Sequence, residues 1–187
     1  MNYKFNIAGV EMVIETGNIA YDEAKAVITK VHEDDEYTFD AISCAARPVE
    51  FSIANQLYSL DKEVLKNACN QANETQTIGV LSNNNLHLLL SPFVERFTFF
   101  GHDEAAKLTN DVIDICIQLN AAKLRITQFC MMRHESMPIF HQFKGIIETF
   151  IKRKDSTIKL VYFDIPEKFS YELNTLFKSY EKDLKLA

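Results

Sequence analysis

The stretch Thr157-Ile-Lys-Leu-Val-Tyr-Phe163 decides the fold, because it is close to continuously apolar. Such a run is typical of a strand that is covered on both faces by other elements. It lies within residues 123–184, where a strand pattern at 123–129 and two helical patterns, one from Ile139 and one after Pro166, surround it. This alternation predicts parallel strands that are joined by crossover helices.

The helix that precedes this unit is predicted at residues 103–119. Asp103 and Glu104 place negative charge in its first turn, where it interacts favourably with the helix dipole. Apolar residues then recur on one face as far as Leu119, and Asn120 is a suitable stop.

The first half of the chain has the pattern of antiparallel strands. Residues 3–7 and 10–14 alternate apolar and polar residues around Ala8-Gly9, which predicts a β-hairpin. Residues 77–81 and 86–90 predict a second hairpin, connected through Asn83 and Asn84. Further strands are predicted at 26–31 and 37–42, and helices from Pro48 and around 64–68, the second of them ended by the polar block 70–76.

Together these patterns predict one α/β domain over residues 1–187. We expect a three-layer α/β/α architecture around a mixed, partly parallel sheet with hairpins at its edges. The formal net charge of −6 disfavours a nucleic-acid-binding protein, since that function usually needs a basic face. The basic run Lys152-Arg153-Lys154 falls in the last turn of a predicted helix, where cations offset the helix dipole.

The composition also bears on location. No apolar run approaches the ~18 residues of a membrane-spanning helix. Met1 is followed by no apolar signal core, and the four cysteines are widely spaced without a Cys-x-x-Cys pair. We therefore expect a cytoplasmic protein with reduced thiols, and Cys116 in the core of the domain.

The order of elements resembles that of the macro domain family. The family's Gly-Asp-Ile signature and following strand are matched by Gly17-Asn18-Ile19 and then Lys25-Ala26-Val27-Ile28. Residues 75–92 resemble its threonine-led pair of strands, and Met137-Pro138 and Phe163-Asp164 stand where the family has an aromatic-Pro pair and a Phe-Asp turn. The resemblance implies a macro-domain fold and a family that binds ADP-ribose, some of whose members remove ADP-ribose from proteins or from its O-acetyl ester.

The chain departs from the family at the residues that would carry this function. Asn18 replaces an Asp that hydrogen-bonds the adenine, and Thr29 and His32 replace two turn asparagines. The family's phosphate loops are glycine-rich, because backbone N–H groups must approach the diphosphate closely. Here none of the five glycines lies between Ala26 and Ile78, and the second loop is the bulky segment 130–137. We therefore expect that ADP-ribose is not held in the family's usual way.

Ligands of open α/β sheets bind beyond the carboxyl ends of the strands, so the site is predicted at that edge. The candidate ligand-binding residues predicted there are Asn18, His32, Asn83, Asn84, Arg133, Phe163 and Asp164. Phe163 has two interpretations, since its ring can stack on a base or be buried in the core. The candidate catalytic residues are Cys130 and His134, because a thiol needs a nearby base or cation to become nucleophilic; an ordinary thiol beside solvated charges is the alternative.

These observations favour a binding module that is not an enzyme and that recognises a nucleotide-like small molecule or a protein partner. No cofactor and no metal are expected, since His134 and His141 have no compact zinc-ligand spacing with Cys130. The alternatives are a hydrolase that uses Cys130 and His134, an ADP-ribose hydrolase with non-standard site residues, and a homo-oligomer that associates through apolar residues such as Phe97 and Phe99.

Overall fold

The computed structural model describes residues 2–15, 26–30, 62–75, 77–83, 86–91, 101–127, 139–165 and 167–186. Regular elements account for most of these residues. The strands are β1 (Asn2–Ile7), β2 (Val10–Glu15), β3 (Ala26–Lys30), β4 (Gly79–Asn83), β5 (Leu86–Ser91), β6 (Lys123–Thr127) and β7 (Leu160–Asp164). The helices are α1 (Lys62–Thr75), α2 (His102–Gln118), α3 (Ile139–Lys152) and α4 (Glu167–Leu186). None of the described helices is both long enough and apolar enough to cross a membrane.

The described strands form one mixed sheet in the order β1-β2-β7-β6-β3-β5-β4. β2, β7, β6, β3 and β5 pair in parallel, whereas β1 and β4 are antiparallel to their neighbours. Each antiparallel strand belongs to a hairpin at one edge of the sheet. The predicted α/β class, the mixed sheet and the edge hairpins are therefore confirmed.

Strand β7 lies between β2 and β6, and its burial explains its apolar sequence. Val161 and Phe163 are fully buried on one face and Tyr162 is buried on the other, as expected for a strand that is covered on both faces. The strand begins at Leu160 and not at Thr157, because the preceding residues bond to the loop after α2. The Thr157 hydroxyl donates to the Ala121 carbonyl at 2.9 Å, and the Lys159 N–H donates to the Ala122 carbonyl at 2.8 Å.

An aromatic cluster fixes the helices to the sheet. The ring centroids of Phe163 and Phe143 are 5.1 Å apart, and those of Phe163 and Phe177 are 5.6 Å apart. Phe5 of the first strand packs on Phe177 at 5.1 Å. Such pairs contribute about 0.5–1.5 kcal/mol each beyond the area that they bury. The cluster thus joins β1, α3, β7 and α4 in one core.

Helices α2 and α3 approach each other closely at Gly145. A Cβ atom at this position would collide with the backbone carbonyl of His102, so only glycine permits the observed spacing. Helix α2 begins as predicted, because the Glu104 carboxylate accepts the Gly101 N–H at 2.9 Å. It ends at Gln118, just before the predicted stop Asn120, whose φ of 50° is a left-handed conformation that asparagine tolerates.

Helix α1 differs from its predicted extent. The polar block 70–76 was expected to end it, but the helix continues to Thr75. Within this block Ala72 is buried, and the Thr75 hydroxyl donates to the Gln71 carbonyl at 2.7 Å. A helix whose outer face is exposed accepts polar residues there, so polarity alone did not mark its end.

The first hairpin is closed by a two-residue turn and covered at its outer edge. Ala8 and Gly9 both have positive φ, 52° and 83°, which is the backbone that a tight hairpin turn requires. The Asn6 N–H donates to the Glu181 carboxylate of α4 at 2.9 Å, and Lys185 lies 3.3 Å from the same carboxylate. These two interactions lower the pKa of Glu181. The hairpin is therefore tied to the last helix.

Candidate functional site

The parallel strands place their carboxyl ends along one edge of the sheet. Glu15, Asp164 and Thr127 are paired across β2, β7 and β6, and Lys30 is paired with Ser91 across β3 and β5. Strands β2, β3, β5 and β6 end there, and residues 16, 31, 92 and 128 follow them in the chain. In open α/β sheets this edge is where ligands bind. We call it the carboxyl edge.

The predicted site residues divide into those that the structure describes and those that it does not. Asp164 is the last residue of β7 and lies at the carboxyl edge, where it was predicted. The candidates that lie outside the described residues are Asn18, Asn84, His32, Cys130, Arg133 and His134. By chain order, Asn18 follows β2, His32 follows β3, and Cys130, Arg133 and His134 follow β6. Their grouping at this edge stays a prediction.

Asn83 lies at the amino ends of the parallel strands, opposite the carboxyl edge. Its predicted place beside the other candidate residues is therefore wrong. It pairs with Leu86, the first residue of β5, and β5 runs parallel to β3. The start of β5 is therefore at the amino ends of the parallel strands. A hairpin turn always lies where its second strand begins, and that direction decides the edge.

Phe163 is a core residue in the structure. Its side chain is fully buried and packs against Phe143 and Phe177. The second of the two interpretations from the sequence therefore describes it, since a ring enclosed by other rings has no face on which a base can stack. Its neighbour Asp164 occupies the edge instead.

Beneath the carboxyl edge lies a buried charge that was not predicted. The Arg125 side chain on β6 is fully buried, and its Nη1 atom is 3.3 Å from the Glu15 carboxylate at the end of β2. Its guanidinium carbon lies 4.6 Å from the centre of the Tyr162 ring on β7. We call Glu15, Arg125 and Tyr162 the sheet cluster. The sequence signal for this buried charge was an arginine between two apolar residues of a strand, Leu124 and Ile126, which are both buried.

A second polar cluster joins three helices. His102 at the start of α2 places Nδ1 2.7 Å from Asp103 and Nε2 2.9 Å from Glu148 of α3. The Tyr180 hydroxyl of α4 donates to the other oxygen of Glu148 at 2.7 Å, and Lys144 lies 3.9 Å from that oxygen. We call His102, Asp103, Glu148 and Tyr180 the helix cluster. Its members are partly exposed or exposed, unlike the buried arginine of the sheet cluster.

The electrostatics of the helix cluster favour a charged histidine. Hydrogen bonds to Asp103 and Glu148 raise the pKa of His102 above its ordinary value. Burial opposes ionisation of Glu148, but hydrogen bonds from Tyr180 and His102 prevail and lower its pKa. Burial and the bond to Glu148 raise the pKa of Tyr180. An imidazolium with a carboxylate at each nitrogen is a poor general base, so we assign this cluster a structural role.

The basic run at the end of α3 is also structural. Arg153 bonds to Asp114 at 2.6 Å, to Asp155 at 2.8 Å and to Asn110 at 3.2 Å. The hydrogen bonds to the two carboxylates raise the pKa of Arg153, which stays charged. Helix α3 leads to the start of β7. Arg153 therefore lies near the amino ends of the parallel strands, away from the carboxyl edge.

Two further groups of residues bear on chemistry. Within the described residues, no group of three or more His, Cys, Asp or Glu side chains could hold a metal ion. Cys116 is buried, and burial raises the pKa of its thiol to about 12. Its predicted place in the core is confirmed, and such a thiol is inert at neutral pH.

The comparisons with known proteins identify the fold. No family model matches the chain, and no curated protein sequence matches it. Solved structures do match. The Oceanobacillus iheyensis macrodomain with ADP superposes with a TM-score of 0.63 at 14% identity, over 98% of this chain and 96% of that one. A variant of the same macrodomain with ADPR has a TM-score of 0.60 at 13% identity, over 100% of both chains.

A third similar structure comes from a different protein. The macrodomain of Mycobacterium tuberculosis DarG superposes with a TM-score of 0.58 at 11% identity, over 84% of this chain and 99% of that one. The agreement spans the mixed sheet and the helices on it, although few residues are identical. The predicted macro-domain architecture is thus confirmed at the level of fold: this chain has a macro-domain fold, and its sequence is 11–14% identical to the sequences of these structures.

Proposed function

We propose that this chain is a binding module for ADP-ribose or a closely related adenine nucleotide, held at the carboxyl edge and not hydrolysed. The observation that carries the proposal is that macrodomains of the same fold have been solved with ADP and with ADPR. Nucleotide-derived ligands suit this edge, because five parallel strands end there and several connecting segments begin there.

The chain offers suitable groups for such a ligand. Asn18 follows β2 by three residues, and its amide can both donate to and accept from the edge of an adenine. Arg133, which follows β6, carries the planar guanidinium that suits a phosphate. Asp164 ends β7 at the same edge and can accept hydrogen bonds from a ribose hydroxyl or an amino group. We propose His32 as a further contact, because it follows β3.

The missing glycines predict how the ligand is held. Without glycine-rich loops, fewer backbone N–H groups can approach a diphosphate, so we expect the adenosine part to contribute most of the affinity. The same departures favour binding without hydrolysis, since Thr29 and His32 stand where the resembled family has turn asparagines.

Calorimetry with ADP-ribose, ADP and AMP tests the proposal. We expect ADP-ribose to bind with a Kd of about 10–100 µM and AMP to bind within about tenfold of it. Asn18→Ala and Asp164→Ala should each weaken ADP-ribose binding, whereas Asp114→Ala, away from the carboxyl edge, should not. Absence of binding by all three nucleotides at millimolar concentration would contradict the proposal.

The hydrolase alternative needs its own assay. The chain is incubated with a mono-ADP-ribosylated protein, and released ADP-ribose is measured. We expect no release above the background of heat-treated chain. Release that is abolished in Cys130→Ser or His134→Gln would support the hydrolase and overturn the non-catalytic part of the proposal.

A further inference from the structure

We propose that Arg125 is a positioning residue for the nucleotide site: it fixes Glu15 and the strand ends beside it, and affinity depends on it although it does not touch the ligand. The inference rests on the proposed function. Three observations carry it, namely the complete burial of Arg125, its bond to Glu15 and its place over Tyr162.

The geometry shows the direction in which Arg125 acts. Arg125 is paired with Tyr162, and Tyr162 is paired with Val13 of β2. Glu15 is two residues beyond Val13 towards the carboxyl edge and on the same face of the sheet. The arginine therefore reaches diagonally across β7 to a strand that is not its neighbour. One side chain thus joins β6 and β7 to the end of β2.

The energetics indicate that this contact sets geometry more than stability. Burying an ion is costly, and the attraction within an ion pair offsets that cost only where the geometry is good. Apolar residues of similar size often replace buried pairs without loss of stability. A guanidinium that is bonded at one end and stacked on an aromatic ring has, however, one preferred orientation. Lysine has neither the planar shape nor the fork of donors.

The consequence falls on the residues that begin the site. Glu15 is paired with Asp164, and Asp164 is paired with Thr127, so the three residues form one row at the carboxyl edge. The segment that contains Asn18 begins immediately after Glu15. Displacing Glu15 therefore displaces the end of β2 relative to Asp164. Binding groups must be held to within a fraction of an ångström, so a small shift is sufficient to reduce affinity.

The test measures ADP-ribose affinity and thermal stability in the same set of variants. Arg125→Met removes the charge and keeps an apolar stem, and Glu15→Gln keeps the shape of its partner. We expect each variant to weaken ADP-ribose binding by about tenfold or more, since a small misplacement of binding groups has a large effect on affinity. The double variant should lose less than the sum of the two single losses, because both changes break the bond between Arg125 and Glu15. Arg125→Lys should recover part of the loss.

A matched control separates positioning from stability. Arg153→Met removes an arginine that also bonds carboxylates but lies away from the carboxyl edge. We expect a lower Tm and an unchanged Kd. An unchanged Kd in both Arg125→Met and Glu15→Gln, with wild-type binding intact, would overturn this inference alone. Absence of wild-type binding would overturn the proposed function and this inference with it. If Arg125→Met does not fold, Glu15→Gln decides.

Discussion

The sheet cluster and the helix cluster both join three elements through a charged pair, but they differ in what surrounds them. In the sheet cluster the cation, Arg125, is fully buried and carries a permanent charge. In the helix cluster the cation is protonated His102, which is about one-third exposed and whose pKa is raised by hydrogen bonds to Asp103 and Glu148. Similar hydrogen-bond patterns therefore have different consequences: the buried cluster fixes geometry at the carboxyl edge, whereas the partly exposed one adjusts the packing of helices.

The largest expected effect comes from leaving the buried arginine without its carboxylate. Glu15→Ala should lower the free energy of unfolding by about 3 kcal/mol, because removing one partner of a buried ion pair is costly. Arg125→Met combined with Glu15→Leu should cost less than about 1 kcal/mol, since apolar side chains then replace both partners of the pair. Urea unfolding measures both. Equal losses in the two variants would show that the pair itself stabilises the fold.

A slightly smaller effect is expected at the contact that holds the helix cluster together. Gly145→Ala places a Cβ against the His102 carbonyl, so α2 and α3 must separate. We expect a loss of about 2 kcal/mol, typical of overpacking against backbone. Lys152→Ala, exposed on the same helix, is the control and should change stability by less than about 0.5 kcal/mol. A stable Gly145→Ala variant would show that the helices can move apart freely.

The helix cluster should make stability depend on pH in a direction that its histidine sets. Because the folded pKa of His102 is raised, its contribution is complete below the unfolded value of 6.5 and is lost as pH rises through the folded pKa. Glu148, whose folded pKa is lowered, contributes above its ordinary value of 4.5 and loses this contribution as pH falls through the folded pKa. The contribution of the pair is therefore largest between these two values.

His102→Gln checks this pH dependence. Between pH 6 and pH 8.5 the wild type should lose about 0.5–1 kcal/mol relative to the variant, a modest amount because the pair is partly exposed. Urea unfolding at several pH values provides the difference, and the proton signal of the imidazole in NMR gives the titration itself. A His102 that titrates at or below its ordinary value would contradict the hydrogen bonds to Asp103 and Glu148.

The smallest effect is expected at the edge of the helix cluster. Tyr180→Phe removes the hydroxyl that donates to Glu148 and should cost about 0.5–1 kcal/mol, the net value of one hydrogen bond. It should also raise the pKa of Glu148, because a bond to the ionised form is lost. Thermal unfolding at pH 7 and pH 4.5 measures both consequences. Tyr171→Phe, an exposed tyrosine of the same helix, should behave as the wild type.

Much of the fold was predictable because its signals are local. The apolar run of β7, the alternation around Ala8-Gly9 and the stripe of α2 each lie within about 20 residues of chain. The direction of a strand within the sheet is not local, and for this reason Asn83 was placed at the wrong edge. Phe163 shows a second limit of prediction from sequence. An apolar strand predicts burial, but it does not show at which residue the strand reaches the surface.

The candidate site was less predictable for a related physical reason. Arg125 and Glu15 are 110 residues apart in the chain, and neither has a motif around it. A charge within an apolar strand indicates that a partner exists, but only the strand order shows where that partner lies. The predicted contacts Asn18, His32 and Arg133 depend on segments outside the described residues, so they remain proposals for the nucleotide-binding experiments to decide.

The hydrogen bond from the Asn6 N–H to Glu181 has a consequence for assembly. Strand β1 is the outermost of the described strands on its side, and an outward N–H on such a strand is a template for pairing with another chain. Here a carboxylate from α4 occupies that N–H, and it brings negative charge to the edge. Extension of the sheet from β1 into a second copy would have to displace Glu181 first. The first hairpin is thus guarded against edge-to-edge aggregation by the last helix of the same chain.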